Sequence, residues 1–249
     1  MTSPAPAPAS PSPRQPGRLG RVLLRMLMKQ ARVVQAESIA EGFRLITLES
    51  PEFDGPQWTP GQKVQIAMGS AFVARTFTPI DWNTATRQTR ILGYAHGNGP
   101  GSEWIRRAQA GQACDVFGPR ASLDGGDPAG LRVVFGDETS IGLAHALGHR
   151  APDNPPRCLF EVNALAPARE ALARLDLRRT ELFPRTDNEA HLQDLERRLA
   201  ELASAGATFL LTGKAPSIQR LRRCLKALGT PASRIASKAY WAPGKTGLD

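Results

Sequence analysis

Cysteine is scarce: Cys114, Cys158 and Cys224 are the only three in 249 residues, far apart and without CxxC spacing. That argues against a disulfide framework, a zinc knuckle or an iron–sulfur site, and suits a reducing compartment, so a cytoplasmic location is expected. Long apolar runs are missing too. The longest near the start, residues 22–28, is interrupted by Arg25, is too short to span a bilayer and lacks a signal-peptide cleavage pattern. The second half holds no GxGxxG and no GxxxxGK[ST], so it has neither the usual dinucleotide fingerprint nor a P-loop. No order of Ser, His and Asp, or of Cys and His, matches a nucleophile framework.

Two long segments, one at the start and one near the end of the chain, hold no acidic residue. Thirty-two Lys and Arg face 23 Asp and Glu, a net charge of +9. Residues 1–32 hold Arg14, Arg18, Arg21, Arg25, Lys29 and Arg32 and no acid. Residues 214–248 hold Lys214, Arg220, Arg222, Arg223, Lys226, Arg234, Lys238 and Lys245, again with no acid. The remainder is net acidic. The excess is therefore two local basic segments on an ordinary body. Aromatic interleaving and nucleic-acid modules are also lacking, so no nucleic-acid partner is expected.

The chain is long enough for two small domains. In residues 1–17, 12 of 17 are Pro, Ala or Ser, which predicts a disordered or polyproline-like arm. Residues 18–30, RLGRVLLRMLMKQ, have helical periodicity with Arg on one side and Leu/Met on the other. They read either as a short helix packed on the body or as a weak membrane-surface or partner contact. From Ala31 the runs VVQAES, FRLITLES, KVQIAM, FVART and RQTRILGYA, separated by turn signals, predict an antiparallel barrel over 18–126. A helix from Gly101 to Gln109 interrupts it, and GQACDVFGPR returns to strand. After a linker at Asp124–Gly130, strands LRVVF, CLFEV, ATFLLTG and IASKAYW alternate with helices ETSIGLAHALGH, PAREALARL, NEAHLQDLERRLAEL and APSIQRLRRCLKAL. That rhythm predicts a small parallel-sheet α/β domain over 127–249.

Three segments carry candidate chemistry. Arg75, Thr76, Phe77 and Thr78 end a barrel strand and offer a guanidinium, two hydroxyls and a ring to a flat phosphorylated cofactor. A glycine-rich turn, His96 to Trp104, runs into a helix whose free N–H groups suit a pyrophosphate. Gly136, Asp137, Glu138, Thr139 and Ser140 follow a strand and open a helix. They read as an ordinary capped turn or as an anion seat. The ending from Ser237 to Lys245 reads either as aromatics docked on the body or as a ligand border. The basic helix LRRCLKAL is a solvated face or a docking surface for an acidic protein. His145 and His149, four apart, lack a third ligand and read as surface or packing residues, and His191 reads as solvated.

Taken together, RTFTP at 75–79, AHGNGPGSEW at 95–104, GQACDVFGPR at 111–120, GDETS at 136–140, LLTGKAPSIQRLRRCL at 210–225 and SKAYWAPGK at 237–245 resemble one family. It is that of siderophore-interacting proteins, FAD-dependent ferric-siderophore reductases within the ferredoxin–NADP reductase-like superfamily. The resemblance runs from about Ala31 to Leu248. It implies a Greek-key FAD-binding barrel followed by an electron-donor domain. It also implies that Arg75 pairs with the FAD pyrophosphate, Thr78 meets the flavin edge and Phe77 packs beside the cofactor, with Thr76 and His96 close by. Gly99, Pro100, Gly101 and Ser102 would form the phosphate turn. Many relatives have Tyr in place of Phe77 and Arg in place of Ile80, so two polar cofactor contacts are missing here.

Further implications concern substrate and donor. Lys238, Tyr240, Trp241 and Lys245 would lie near the flavin and attract an anionic ferric siderophore. The donor would be NADH, NADPH or reduced ferredoxin. A nicotinamide would sit around Gly136–Thr139, with Lys214, Arg220, Arg222 and Arg223 for a 2′-phosphate, whereas an acidic ferredoxin would dock on the basic helix with Lys238 and Lys245. A monomer without a transmembrane segment is expected, and no resident metal. The competing readings are a general flavin reductase or electron-transfer flavoprotein, and a ferric-siderophore binding protein without turnover.

Overall fold

Alternating burial along the first half of the chain builds an antiparallel sheet. The structure, a computed structural model, describes residues 28–55, 58–68 and 73–245. Its first seven strands are β1 (Lys29–Ala40), β2 (Phe43–Glu49), β3 (Lys63–Ala67), β4 (Ala74–Phe77), β5 (Pro79–Asn83), β6 (Gln88–Tyr94) and β7 (Ala113–Arg120). They pair antiparallel in the order β4-β3-β7-β1-β2-β6-β5. The two end strands, β4 and β5, are consecutive and joined at Thr78, so the sheet curls back on itself as a barrel. Inward residues Val33, Ile46, Leu48, Val64, Ile66, Ile91 and Val116 fill it with Phe53. Helix α1 (Pro100–Arg107) plugs one end with Trp104 and Ile105.

The second half forms a parallel sheet of β8 (Arg132–Gly136), β9 (Arg157–Val162), β10 (Thr180–Pro184), β11 (Thr208–Lys214) and β12 (Ile235–Trp241), in the order β10-β9-β8-β11-β12. β8 comes first in the chain and lies in the middle, so the strand order reverses beside its carboxyl end, where open α/β sheets place ligands. Helices α2 (Ile141–Arg150) and α3 (Leu165–Arg174) cover one face, while α4 (Ala190–Ser204) and α5 (Ala215–Ala227) cover the other.

The barrel and the α/β sheet share one apolar core. Ile39, Phe43, Ile80 and Leu92 from the barrel pack with Val134, Ile141, Leu143, Leu147 and Phe160 from the sheet and α2. The close approach needs Gly142: a Cβ there would sit 3.0 Å from Ile80 Cγ2. Ile80 is buried in this seam.

Three expectations change. The helix expected over 18–30 lies outside the described residues up to 27, and its last two residues, Lys29 and Gln30, belong to β1, paired with Val116 and Asp115. β5 and β10 were not expected; both are short edge strands, and β5 begins at a proline. His191 is buried rather than solvated, because α4 turns it inward, where Nε2 lies 3.1 Å from Glu161 Oε2.

Candidate functional site

A strand, a turn and a chain tail converge on one cavity of about 480 Å³ between the two sheets, a size typical of small-molecule sites, ~300–1,000 Å³. Arg75, Thr76, Phe77 and Thr78 enter it from β4, and His96 and Gly99 from the turn after β6. Pro100, Gly101 and Ser102 come from the start of α1, and Lys238, Tyr240, Trp241 and Lys245 from β12 and its tail. Thr139 and Gly142 close the wall on the α2 side. Of the four residues expected to meet a donor, only Thr139 reaches this cavity, while Gly136, Asp137 and Glu138 are buried behind it.

The start of α1 is built to receive an anion. Its N-cap, Gly99, has no side chain to offer, and Pro100 has no N–H, so the Gly101 and Ser102 N–H groups lack helical partners. The Ser102 hydroxyl donates to the His96 carbonyl at 2.6 Å, which closes the turn and leaves the main chain as the donor there. Arg75 lies across this end: a Cβ on Gly101 would sit 3.2 Å from Arg75 Cγ. The described lining holds four cations, Lys63, Arg75, Lys238 and Lys245, and no carboxylate.

Aromatic groups shape the opposite wall. Phe77 packs on Trp104 with ring centroids 5.6 Å apart, and His96 sits between Tyr94 at 6.3 Å and Trp241 at 5.2 Å. Burial holds His96 below the usual histidine range, against a smaller opposing effect of Asp137, so the ring is neutral at pH 7. The Thr78 hydroxyl donates to Tyr240 Oη at 3.4 Å, bridging barrel and tail. Burial pushes the Tyr240 phenol up to about 12, so it stays a neutral donor.

Behind this wall, the carboxyl ends of β8 and β9 and the residue after β10 gather three carboxylates around one guanidinium. Arg185 Nη2 lies 3.0 Å from Glu138 Oε2 and 3.7 Å from Asp137 Oδ2, and Arg185 Nε lies 3.8 Å from Glu161 Oε1. Asp137 Oδ1 accepts from the Thr139 N–H at 2.9 Å and from its hydroxyl, and Oδ2 accepts from Trp241 Nε1 at 2.7 Å. Glu138 accepts on both oxygens, from the Asn163 N–H and from Arg185; burial nonetheless raises its pKa, with Arg185 opposing.

The residues expected to hold a 2′-phosphate are partly committed elsewhere. Lys214 Nζ is 4.0 Å from Glu189, and Arg220 pairs with Glu196 at 2.8 Å, whereas Arg222 and Arg223 are exposed on α5. His145 Nδ1 lies 3.2 Å from the Leu175 carbonyl, with its ring stacked on His149. Lys63, Tyr94 and Arg185 were missed in the sequence. They come from strands and turns remote in the chain, and nothing local marks them.

A curled, barrel-like antiparallel sheet with an open helix start, joined to a parallel sheet, is a ferredoxin reductase-like architecture. The ferredoxin reductase in carbazole 1,9a-dioxygenase, in its FAD apo form, is 17% identical over 86% of this chain and 67% of its own, with a TM-score of 0.70. The siderophore-interacting protein SipS from Aeromonas hydrophila is 20% identical over 88% of this chain and 92% of its own, at 0.69. A siderophore utilization protein from T. fusca is 20% identical over 89% and 95%, at 0.67. Those likenesses show the fold. No curated protein matches the chain. The model of the siderophore-interacting protein family matches residues 130–244, and that of the siderophore-interacting FAD-binding domain matches 61–123. The chain belongs to the siderophore-interacting protein family and carries its FAD-binding domain.

Proposed function

We propose that the protein is an FAD-dependent ferric-siderophore reductase. The observation that carries this reading is the pairing, in one cavity whose described lining holds no carboxylate, of an uncapped helix start beside Arg75 with a tail bearing Lys238 and Lys245. The residues fit FAD: Arg75 and the Gly101 and Ser102 N–H groups face the pyrophosphate, Thr78 meets the ring edge, and Phe77 offers an apolar wall. FAD bound there supplies single electrons, and two of them, stored as reduced flavin, convert two Fe(III) ions to Fe(II), which hard-oxygen chelators hold far less well. Lys238 and Lys245 concentrate the anionic ferric complex at the mouth, and Tyr240 and Trp241 border it. No acid–base side chain is required. The donor is NADH, NADPH or reduced ferredoxin.

The test begins with the absorption spectrum of the purified protein. Dithionite-reduced holoprotein is then mixed without oxygen with several ferric siderophores, and Fe(II) is trapped with a coloured chelator. Reoxidation of the flavin with two Fe(II) per FAD is expected. A colourless protein that binds no added FAD, or a reduced flavin that no ferric siderophore reoxidises, overturns the reading.

A further inference from the structure

Tyr240 is placed by a break in its strand. β11 and β12 pair in step from Phe209 beside Ile235 to Gly213 beside Ala239, but Lys214 then faces Trp241, so Tyr240 is an extra residue without a partner across the ladder. Regular strands send successive side chains to opposite faces, and a bulge re-aims them. Here Tyr240 and Trp241, consecutive in the chain, both line the cavity. They reach opposite halves of the molecule. Trp241 Nε1 donates to Asp137 Oδ2 in the α/β half at 2.7 Å, and Tyr240 Oη lies 3.4 Å from Thr78 Oγ1 in the barrel. That spacing is long for two hydroxyls, and contacts of this kind tighten when a ligand packs on them.

Thr78 lies between Phe77, paired with Val64, and Pro79, paired with Ile91, so its backbone is pinned on both sides while its hydroxyl hydrogen is free to turn. Among the described residues, neither this hydroxyl nor that of Tyr240 has another hydrogen-bond partner. Each has one proton and two lone pairs, so either can donate to the other. Burial pushes the phenol up to about 12, so it always has a proton to give. The ring edge of oxidised FAD accepts a hydrogen bond, whereas that of reduced FAD carries a proton and donates one. A lone threonine can donate to the first. Accepting from the second leaves its own O–H without an acceptor in a covered site, which is costly.

We propose, resting on the reading above that brings the flavin edge to Thr78, that Tyr240 is a positioning residue that lets this one threonine serve the cofactor in both oxidation states. Tyr240 donates to Thr78 while Thr78 donates to the oxidised edge, and it accepts from Thr78 while Thr78 accepts from the reduced edge. No proton leaves either side chain: the two O–H bonds turn together, and the electrons come from the donor. The reduced form is thereby favoured, and the potential lies higher than Thr78 alone would set it.

Wild type, Tyr240→Phe, Thr78→Val and the double variant are compared as FAD-loaded proteins, by the two-electron midpoint potential read without oxygen against a dye of known potential. Tyr240→Phe keeps the ring and removes Oη alone, and melting curves confirm that each variant is folded. Oxidised FAD is expected to bind Tyr240→Phe within about threefold of wild type, as followed by flavin fluorescence. Reduced FAD is expected to bind it about tenfold more weakly, which lowers the midpoint by about 30 mV. On the Thr78→Val background, removing Oη is expected to change the reduced-to-oxidised preference by less than about twofold, or about 10 mV. A Tyr240→Phe midpoint within about 10 mV of wild type, or above it, overturns the proposal, as does a shift of equal size on both backgrounds. A wild type that binds no FAD overturns both this and the reading above. A loaded protein that no ferric siderophore reoxidises fails only the reductase reading and leaves the potentials standing.

Discussion

Replacing Arg75 with alanine removes the one guanidinium that lines the described cavity, and with it the cation beside the open N–H groups of α1. Among the described residues its guanidinium donates from Nη1 to the Ala74 carbonyl at 2.8 Å, and the side chain lines the cavity. Charge-assisted hydrogen bonds contribute about 1.5–3 kcal/mol each. For a half-exposed group making one or two such bonds to a pyrophosphate, discounted for solvent screening, the loss is about 2–4 kcal/mol. That corresponds to FAD binding weakened by about 30- to 1,000-fold. The alanine also strips the stem from over Gly101, a packing loss in the same direction. Titration of apoprotein with FAD, followed by flavin fluorescence, measures the dissociation constant directly. Arg75→Lys, which keeps the charge but not the fork, is expected to fall between the two. An Arg75→Ala protein with affinity within about threefold of wild type refutes the assignment of this arginine to the phosphates.

Lys238→Ala is expected to raise KM for an anionic ferric chelate while leaving kcat near wild type, with the difference shrinking as salt rises; equal KM values across several chelators count against its role. Gly213→Ala forces a Cβ against Asp137 and places alanine at φ +91°. A cost of about 1–3 kcal/mol follows, read as a melting temperature lower by roughly 2–10 °C. Burial holds His145 below its ordinary value, so the unfolded chain takes up this proton first as pH falls through about 6.5, and stability is lost in that window. Against wild type, His145→Gln is therefore expected to lose less stability between about pH 7 and 5 in thermal melts, and an unchanged slope rules the histidine out.

Local signals were the legible ones. β12 was expected at the residues where it lies, Ile235–Trp241, because its apolar run ends in aromatics. RTFTP and the glycine-rich turn could be picked out because each packs its chemistry into a few consecutive residues. β5 and β10 escaped because edge strands bury little and alternate weakly. His191 was misjudged because its partner, Glu161, lies thirty residues away on another element. The same reason hid the grouping of Asp137, Glu138, Glu161 and Arg185: three strand ends meet there, and only the order of strands in the sheet brings them together. The turn at GDETS was visible, but whether its N–H groups were free depended on where the Asp137 side chain pointed.

The seam in which Ile80 rests on Gly142 has a consequence for how the molecule can be handled. Linked domains usually meet through modest, polar contacts and move against each other. Here Phe43, Ile80 and Leu92 run without a break into Ile141, Leu143 and Phe160. The two halves therefore share their interior, and neither is a portable module: a chain cut at the 121–131 connection exposes an apolar face on each fragment. Shuffling the α/β half onto another barrel would have to carry this seam along, with α2 and α3 redesigned as its surface.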